Sequence, residues 1–186
     1  MKNNNTFKLI VMALGVVFNI AGGFIAVGLK LPIYLDTIGT FMSAFFFGPI
    51  AGILTGAVTS IINGVSFDPV SLYFMPVQII IGLTSGLLYK KGLFKGKLAV
   101  LGTLVVTLIG SVMASLIAAY VFGGITSSGS SFIVMYLKEA GVNVVAGVFS
   151  TQIISDILDK AIAVALVIKI MDVIPKGLKE RSYGEI

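Results

Sequence analysis

Residues 31–66 read LPIYLDTIGTFMSAFFFGPIAGILTGAVTSIINGVS, two apolar limbs hinged at Gly48-Pro49 and opened by Asp36, the first acidic residue of the chain. Both limbs are apolar on nearly every face and carry Gly, Ala, Ser and Thr at close-packing intervals, a pattern suited to helices that meet other helices in lipid. The remaining chain reads as further helices packed around this hairpin.

Composition agrees. Of 186 residues, 57% are hydrophobic and 11% charged, with a mean hydropathy of +1.07. Roughly a quarter of a water-soluble protein's residues are charged, so this chain lacks the polar groups to cover itself in water. The length fits one integral membrane domain, residues 1–186, with about six spans of roughly 20 residues each and no separate catalytic or ATPase domain. Cys and His are absent, which removes disulfides, thiolate ligands and the commonest general base, and weighs against enzymes and metal or cofactor sites. MKNNNTFK leads into a long apolar run without a small-residue cleavage site, so the N-terminus is read as a first span and not as a cleaved signal.

The spans are expected near 9–29, 37–47, 50–64, 72–89, 98–122 and 155–174. Lys30-Leu31-Pro32 stops the first, because the residue before proline is pushed out of helical geometry. Ser66-Phe67-Asp68-Pro69 is a turn by composition, and Pro76 is expected to kink the fourth span. Residues 123–154 read as an outer loop with short helices, including an amphipathic piece around 132–137.

With six spans, Lys2, Lys8, Lys90, Lys91, Lys95, Lys97, Lys176, Lys179 and Arg181 share one side, and only Lys30 and Lys138 fall clearly on the other. By the positive-inside rule this predicts a multi-pass protein of the cell membrane with both termini cytoplasmic. The same asymmetry accounts for the net charge of +5 without nucleic acid. A five-span alternative, with the hairpin as one re-entrant element, would split the lysine cluster from the C-terminus.

Ionisable groups inside a membrane are costly and mark candidate sites. Asp36 stands at the mouth of the second helix, either capping it or facing a ligand. Asp156, Asp159 and Lys160 lie within one and a half turns; Asp156 and Lys160 share a face and could form an ion pair, or line a cavity that opens outward. Tyr34, Asn63, Tyr73, Gln78, Tyr120 and Asn143 fall at similar depth, and most of them could supply ring surface and fixed polar groups to a heterocyclic ligand. Tyr73 and Tyr120 also suit an interfacial aromatic belt. Ala13, Ala21, Gly22 and Ala26 make small-residue surfaces for close helix approach, within the protein or with a partner. No GxxxxGK[ST], HExxH or GxSxG occurs, nor a regular arginine series or TVGYG-like filter.

FFFGPIAGILTGAVTSIIN, preceded by LPIYLDTIGT and followed by a span ending in GLLYKKG, resembles the substrate-binding S components of energy-coupling factor (ECF) vitamin transporters. The likeness covers nearly the whole chain in length, span number, charge bias and the Gly-Pro turn. It implies an all-α membrane protein, a compact bundle of six transmembrane helices that binds a vitamin or precursor near the outer surface of a prokaryotic cell. A transmembrane coupling subunit and two cytoplasmic ATPase subunits would energise it. Tyr34 and Asp36 match the family's gating and binding loop. Asp156, Asp159 and Lys160 fall where riboflavin-binding members open their last span with a polar pair and a lysine. Asp stands here where an amide is expected, which argues against riboflavin itself. The alanine motif used against the coupling subunit is matched imperfectly, by Ala13, Val17 and Ala21.

The expected function is capture of a small heterocyclic nutrient, with Asp36, Asp159 and Lys160 orienting its polar groups and Tyr34 and Tyr73 covering its ring. A stand-alone carrier coupled to protons or sodium through Asp156 or Asp159 is the alternative. A membrane assembly subunit with no ligand is a third.

Overall fold

The computed structural model describes residues 2–174; the basic residues Lys176, Lys179 and Arg181 that enter the charge argument lie outside them. Among the described residues the fold is all-helical: α1 (Lys2–Gly28), α2 (Ile38–Phe47), α3 (Pro49–Ser66), α4 (Val70–Tyr73), α5 (Met75–Lys90), α6 (Leu98–Tyr120), α7 (Ser130–Glu139) and α8 (Val144–Val173).

The bundle is built around α2, whose residues Gly39 to Phe46 are all buried. At about 1.5 Å per residue it is roughly 15 Å long, half of a membrane's apolar thickness. Neighbours α1, α3, α5 and α8 enclose it. Gly48 makes the hinge to α3 with φ +85, a conformation open to glycine, and Pro49 starts α3 where a missing N–H costs nothing. Gly39 lies against the backbone of Gly15, an approach of α1 and α2 that any Cβ at Gly39 would block.

Burial is inverted relative to a water-soluble protein. Large apolar side chains such as Leu9, Val65, Val100 and Ile154 are exposed, while Asn19, Thr40, Thr55, Thr59 and Ser111 are fully or almost fully buried. An apolar exterior over a partly polar interior is the arrangement lipid demands. Among the described residues, three helices have the length and apolarity to cross a membrane, over Asn5–Gly28, Pro49–Ser66 and Leu98–Tyr120. An apolar core of Phe41, Phe45, Ile81, Phe94 and Val167 fills the bundle. The Phe45 ring stacks on Tyr89 at 4.4 Å and meets Phe94 at 4.6 Å, seating the lysine-rich turn between α5 and α6.

Two helix boundaries differ from the sequence reading. Pro76 kinks nothing: the chain breaks at Phe74, and the proline occupies the first turn of α5, where it is compatible with a helix. The last helix opens at Val144 instead of near 155, because Asn143 caps it by accepting the amides of Val145 and Ala146. This absorbs the last third of the expected outer loop, whose amphipathic piece is α7.

Candidate functional site

The loop between α1 and α2 folds back over the bundle instead of standing clear of it. Lys30 and Leu35 hold positive φ, 53 and 54, which is uncommon for residues with side chains. Hydrogen bonding holds the loop in this shape. Asp159 Oδ1 accepts the amides of Tyr34 at 3.1 Å and Leu35 at 2.6 Å, and its Oδ2 accepts the Thr37 hydroxyl at 3.4 Å. The loop's first residues join the segment before α7, with Gly129 N donating to Leu31 O at 3.2 Å.

Beneath the loop, Lys160 Nζ lies 2.8 Å from Asp156 Oδ1 and 2.9 Å from Asp159 Oδ2, and all three side chains are buried. Asp156 Oδ2 also accepts Ser111 Oγ at 2.7 Å and Gln152 Nε2 at 3.0 Å. Buried charges survive when they are paired and their remaining positions satisfied; both carboxylates meet this condition, and the Lys160 ammonium gives two of its three hydrogens to them. The Tyr34 hydroxyl donates to Gln152 Oε1 at 2.9 Å, and its ring centroid lies 5.4 Å from Lys160 Nζ. Burial, then the Asp156 carboxylate, pushes the Tyr34 hydroxyl up to about 12, so it stays protonated as a donor.

Between loop and triad lies a cavity of about 70 Å³ lined by Tyr34, Asp36, Phe74, Gln78, Gln152 and Lys160, among others. A second, smaller lobe of about 40 Å³ continues toward α1 and α3 past Asp36, Asn63 and Asp68. Gln78 is fixed at the junction, accepting from Thr40 at 3.1 Å and donating to the Asp36 carbonyl at 3.0 Å. The Asp36 carboxylate has no cation within ion-pair distance among the described residues. Burial raises it from 3.8 to about 6; Lys160 opposes the rise, and Asp159 adds to it.

The structure therefore gathers Tyr34, Asp36, Gln78, Asp156 and Lys160 around one cavity, with Asn63 in the adjoining lobe. Asp36 is not a helix cap; Thr37 holds that position, without a side-chain cap. Asp159 does not line either lobe, because all of its bonding is spent on the loop and Lys160. Tyr73 is 56% exposed and in T-shaped contact with Phe122, and the ring one residue later, Phe74, faces the cavity. Asn143 is spent capping α8. Ala13, Val17 and Ala21 are exposed along one side of α1.

Sequence reasoning did not single out Gln152, Ser111, Asp68 or Asn19. Gln152 and Asp156 share a face of α8 at a spacing of four, a signal that was available. Asn19 donates to Thr40 at 2.9 Å and Thr59 at 3.1 Å and accepts Gly39 N at 2.7 Å, joining α1, α2 and α3. Among the described residues no group of three or more His, Cys, Asp and Glu is placed to hold a metal ion.

No curated protein and no solved structure gave a match to the chain. The family model described as ECF transporter, substrate-specific component, matches residues 7–171. A match of that extent, on an all-helical apolar bundle with a polar cavity under a clamped loop, shows that the chain belongs to the substrate-specific component family of ECF transporters.

Proposed function

We propose that the protein captures a small heterocyclic vitamin or precursor at the cell surface and delivers it inward through a coupling subunit and two cytoplasmic ATPase subunits. The observation that carries this reading is the cavity under the loop. Apolar and ring surface from Tyr34, Phe74 and Ile81 meets fixed polar groups from Gln78, Gln152 and Lys160, the mix that positions a flat polar molecule. Six membrane crossings with both termini cytoplasmic fit the helix order and the lysines, and α2 would be a buried partial span.

The cavity's 70 Å³ is well below the roughly 300–1,000 Å³ of pockets that enclose drug-sized ligands. Entry of a ring-bearing molecule thus requires the α1–α2 loop to lift, which breaks the bonds to Asp159. The exposed row of Ala13, Val17 and Ala21 offers α1 a shallow face on which the coupling subunit's helix can lie close.

Purification from its native membrane, followed by mass spectrometry of the denatured extract, tests capture: one stoichiometric small molecule is expected, and its absence would sink the reading. The ion-coupled carrier is disfavoured because Asp156 and Asp159 are both tied to Lys160. In cells, uptake should persist when the proton and sodium gradients are collapsed with ATP maintained.

A further inference from the structure

The smaller lobe has a chemistry distinct from the cavity it adjoins. Asn63, at the end of α3, is 3% exposed, lines this lobe, and its Oδ1 has no hydrogen-bond partner. Two carboxylates share the wall, Asp36 and Asp68. Asp68 takes one hydrogen bond, from Ser71 Oγ at 2.8 Å on Oδ2, and no cation is paired with either carboxylate among the described residues. The nearest buried ammonium, that of Lys160, lines the larger cavity and is committed to Asp156 and Asp159.

A buried acceptor left without a donor is costly, and two carboxylates beside it that have no ion-pair partner, Asp36 relieved only in part by Lys160 and Gln78, add to the cost. The hydroxyls of Ser127 and Ser128, on the same wall, can each supply a single proton and no charge. None of the residues that line the lobe carries a positive group with several N–H donors; the Lys30 ammonium, which reaches Ser127 O at 3.5 Å, is exposed and does not line it. A calcium or magnesium ion is a poor fit, since only two carboxylates line the lobe and those ions take six or more oxygen ligands. About 40 Å³ suits a nitrogen headgroup and not a ring, and Tyr34, Asp36 and Asp68 border both lobes, so lifting the loop that carries Tyr34 and Asp36 would open one to the other for a bridging molecule.

We propose that the captured molecule carries a cationic, multiply protonated nitrogen, such as an ammonium or amidinium, which sits among Asp36, Asn63 and Asp68 while its ring lies beside Tyr34 and Phe74. This inference rests on the capture reading and narrows its substrate class. Asn63, Asp36 and Asp68 thereby become the residues that select for charge.

Benzylamine and benzyl alcohol, which share a ring and differ in the nitrogen, test it by equilibrium dialysis against the full-length protein in zwitterionic nanodiscs, with empty discs subtracted. Benzylamine should bind at least about tenfold more tightly, and Asn63→Leu or Asp68→Asn should shrink that preference to about threefold or less. Circular-dichroism melting confirms that each variant is folded. Asn63→Leu removes an unpaired group and should melt no lower than the parent protein.

Equal binding of the two probes, a preference for the alcohol, or binding of neither overturns the inference. So does a benzylamine signal that appears only when choline replaces sodium, which would make the lobe a sodium site. If the co-purified molecule is neutral and without an N–H donor, this inference fails and the capture reading stands. If none co-purifies, the capture reading fails and takes the inference with it.

Discussion

Asp159, in the middle of α8, accepts the backbone amide of Leu35 at 2.6 Å across 124 residues of sequence. Because Leu35 is held at φ 54, the bond stabilises a loop conformation that the backbone alone disfavours. Asp159 is thus the latch of the loop that covers the cavity.

Asp159→Ala should release the latch and also deprive Lys160 of one counter-charge, lowering stability by roughly 3–5 kcal/mol, the usual cost of breaking a buried pair. Asp159→Asn keeps an acceptor for the loop amides and should lose less. Amide exchange at Tyr34 and Leu35 should accelerate at least about tenfold in the alanine variant, against little change in the core of α6. Unchanged exchange at those two amides would refute the latch.

Lys160 balances two carboxylates, so removing it harms more than a ligand contact. Lys160→Met should destabilise the protein by several kcal/mol, roughly 3–5, because Asp156 and Asp159 are left facing each other in the interior. Adding Asp156→Asn should recover part of that loss, a coupling that a double-mutant cycle of thermal melts would read directly. Additive losses would mean that the pair is not electrostatically coupled.

The hinge, the lysine distribution and the charged residues of α8 were legible because each is a local pattern: Gly-Pro, a run of basic residues, acids spaced along one helix. The latch was not, since its partners are main-chain amides of a loop far away in sequence, and an aspartate's neighbours cannot be read from its own segment. The same limit explains Tyr73 and Phe74. Two adjacent rings at a helix break point in different directions, and the break at Phe74, set by Pro76 in the next turn, decides which one faces inward. Asn143 was readable as a cap by its type, yet the length assumed for a membrane span drew the helix start too late.

Asn19 links three helices through three hydrogen bonds, two given and one accepted. Such bonds between membrane helices average about 0.6 kcal/mol each, so Asn19→Leu should cost about 2 kcal/mol. The loss should be larger than for Asn→Leu at exposed Asn143, apart from that residue's capping bond, and a denaturation series in mixed micelles can measure both. Because Thr40 passes a bond on to Gln78, and Gln78 holds the Asp36 carbonyl, the Asn19 variant should also loosen the loop. Leu35 exchange that rises in this variant as well would show that the network reaches the latch.

Asp36 gives the protein a pH dependence with a definite sign. Its folded-state value of about 6 exceeds the ordinary 3.8, so between those values the folded protein holds more protons than the unfolded one. Stability then falls as pH rises through that window, and the cost of the ionised carboxylate is fully present above it. Groups facing it do not reverse the sign: Lys160 favours the charged form, Asp159 and Asp156 oppose it, and burial exceeds all three. The wild type should therefore melt higher near pH 5 than near pH 7, and Asp36→Asn, which cannot ionise, should remove most of that difference. Binding of an amine should run the other way, weakening as acid neutralises the carboxylate. A wild type and Asp36→Asn variant with parallel melting profiles between pH 5 and 7 would show that the surroundings of this half-buried carboxylate do not raise it.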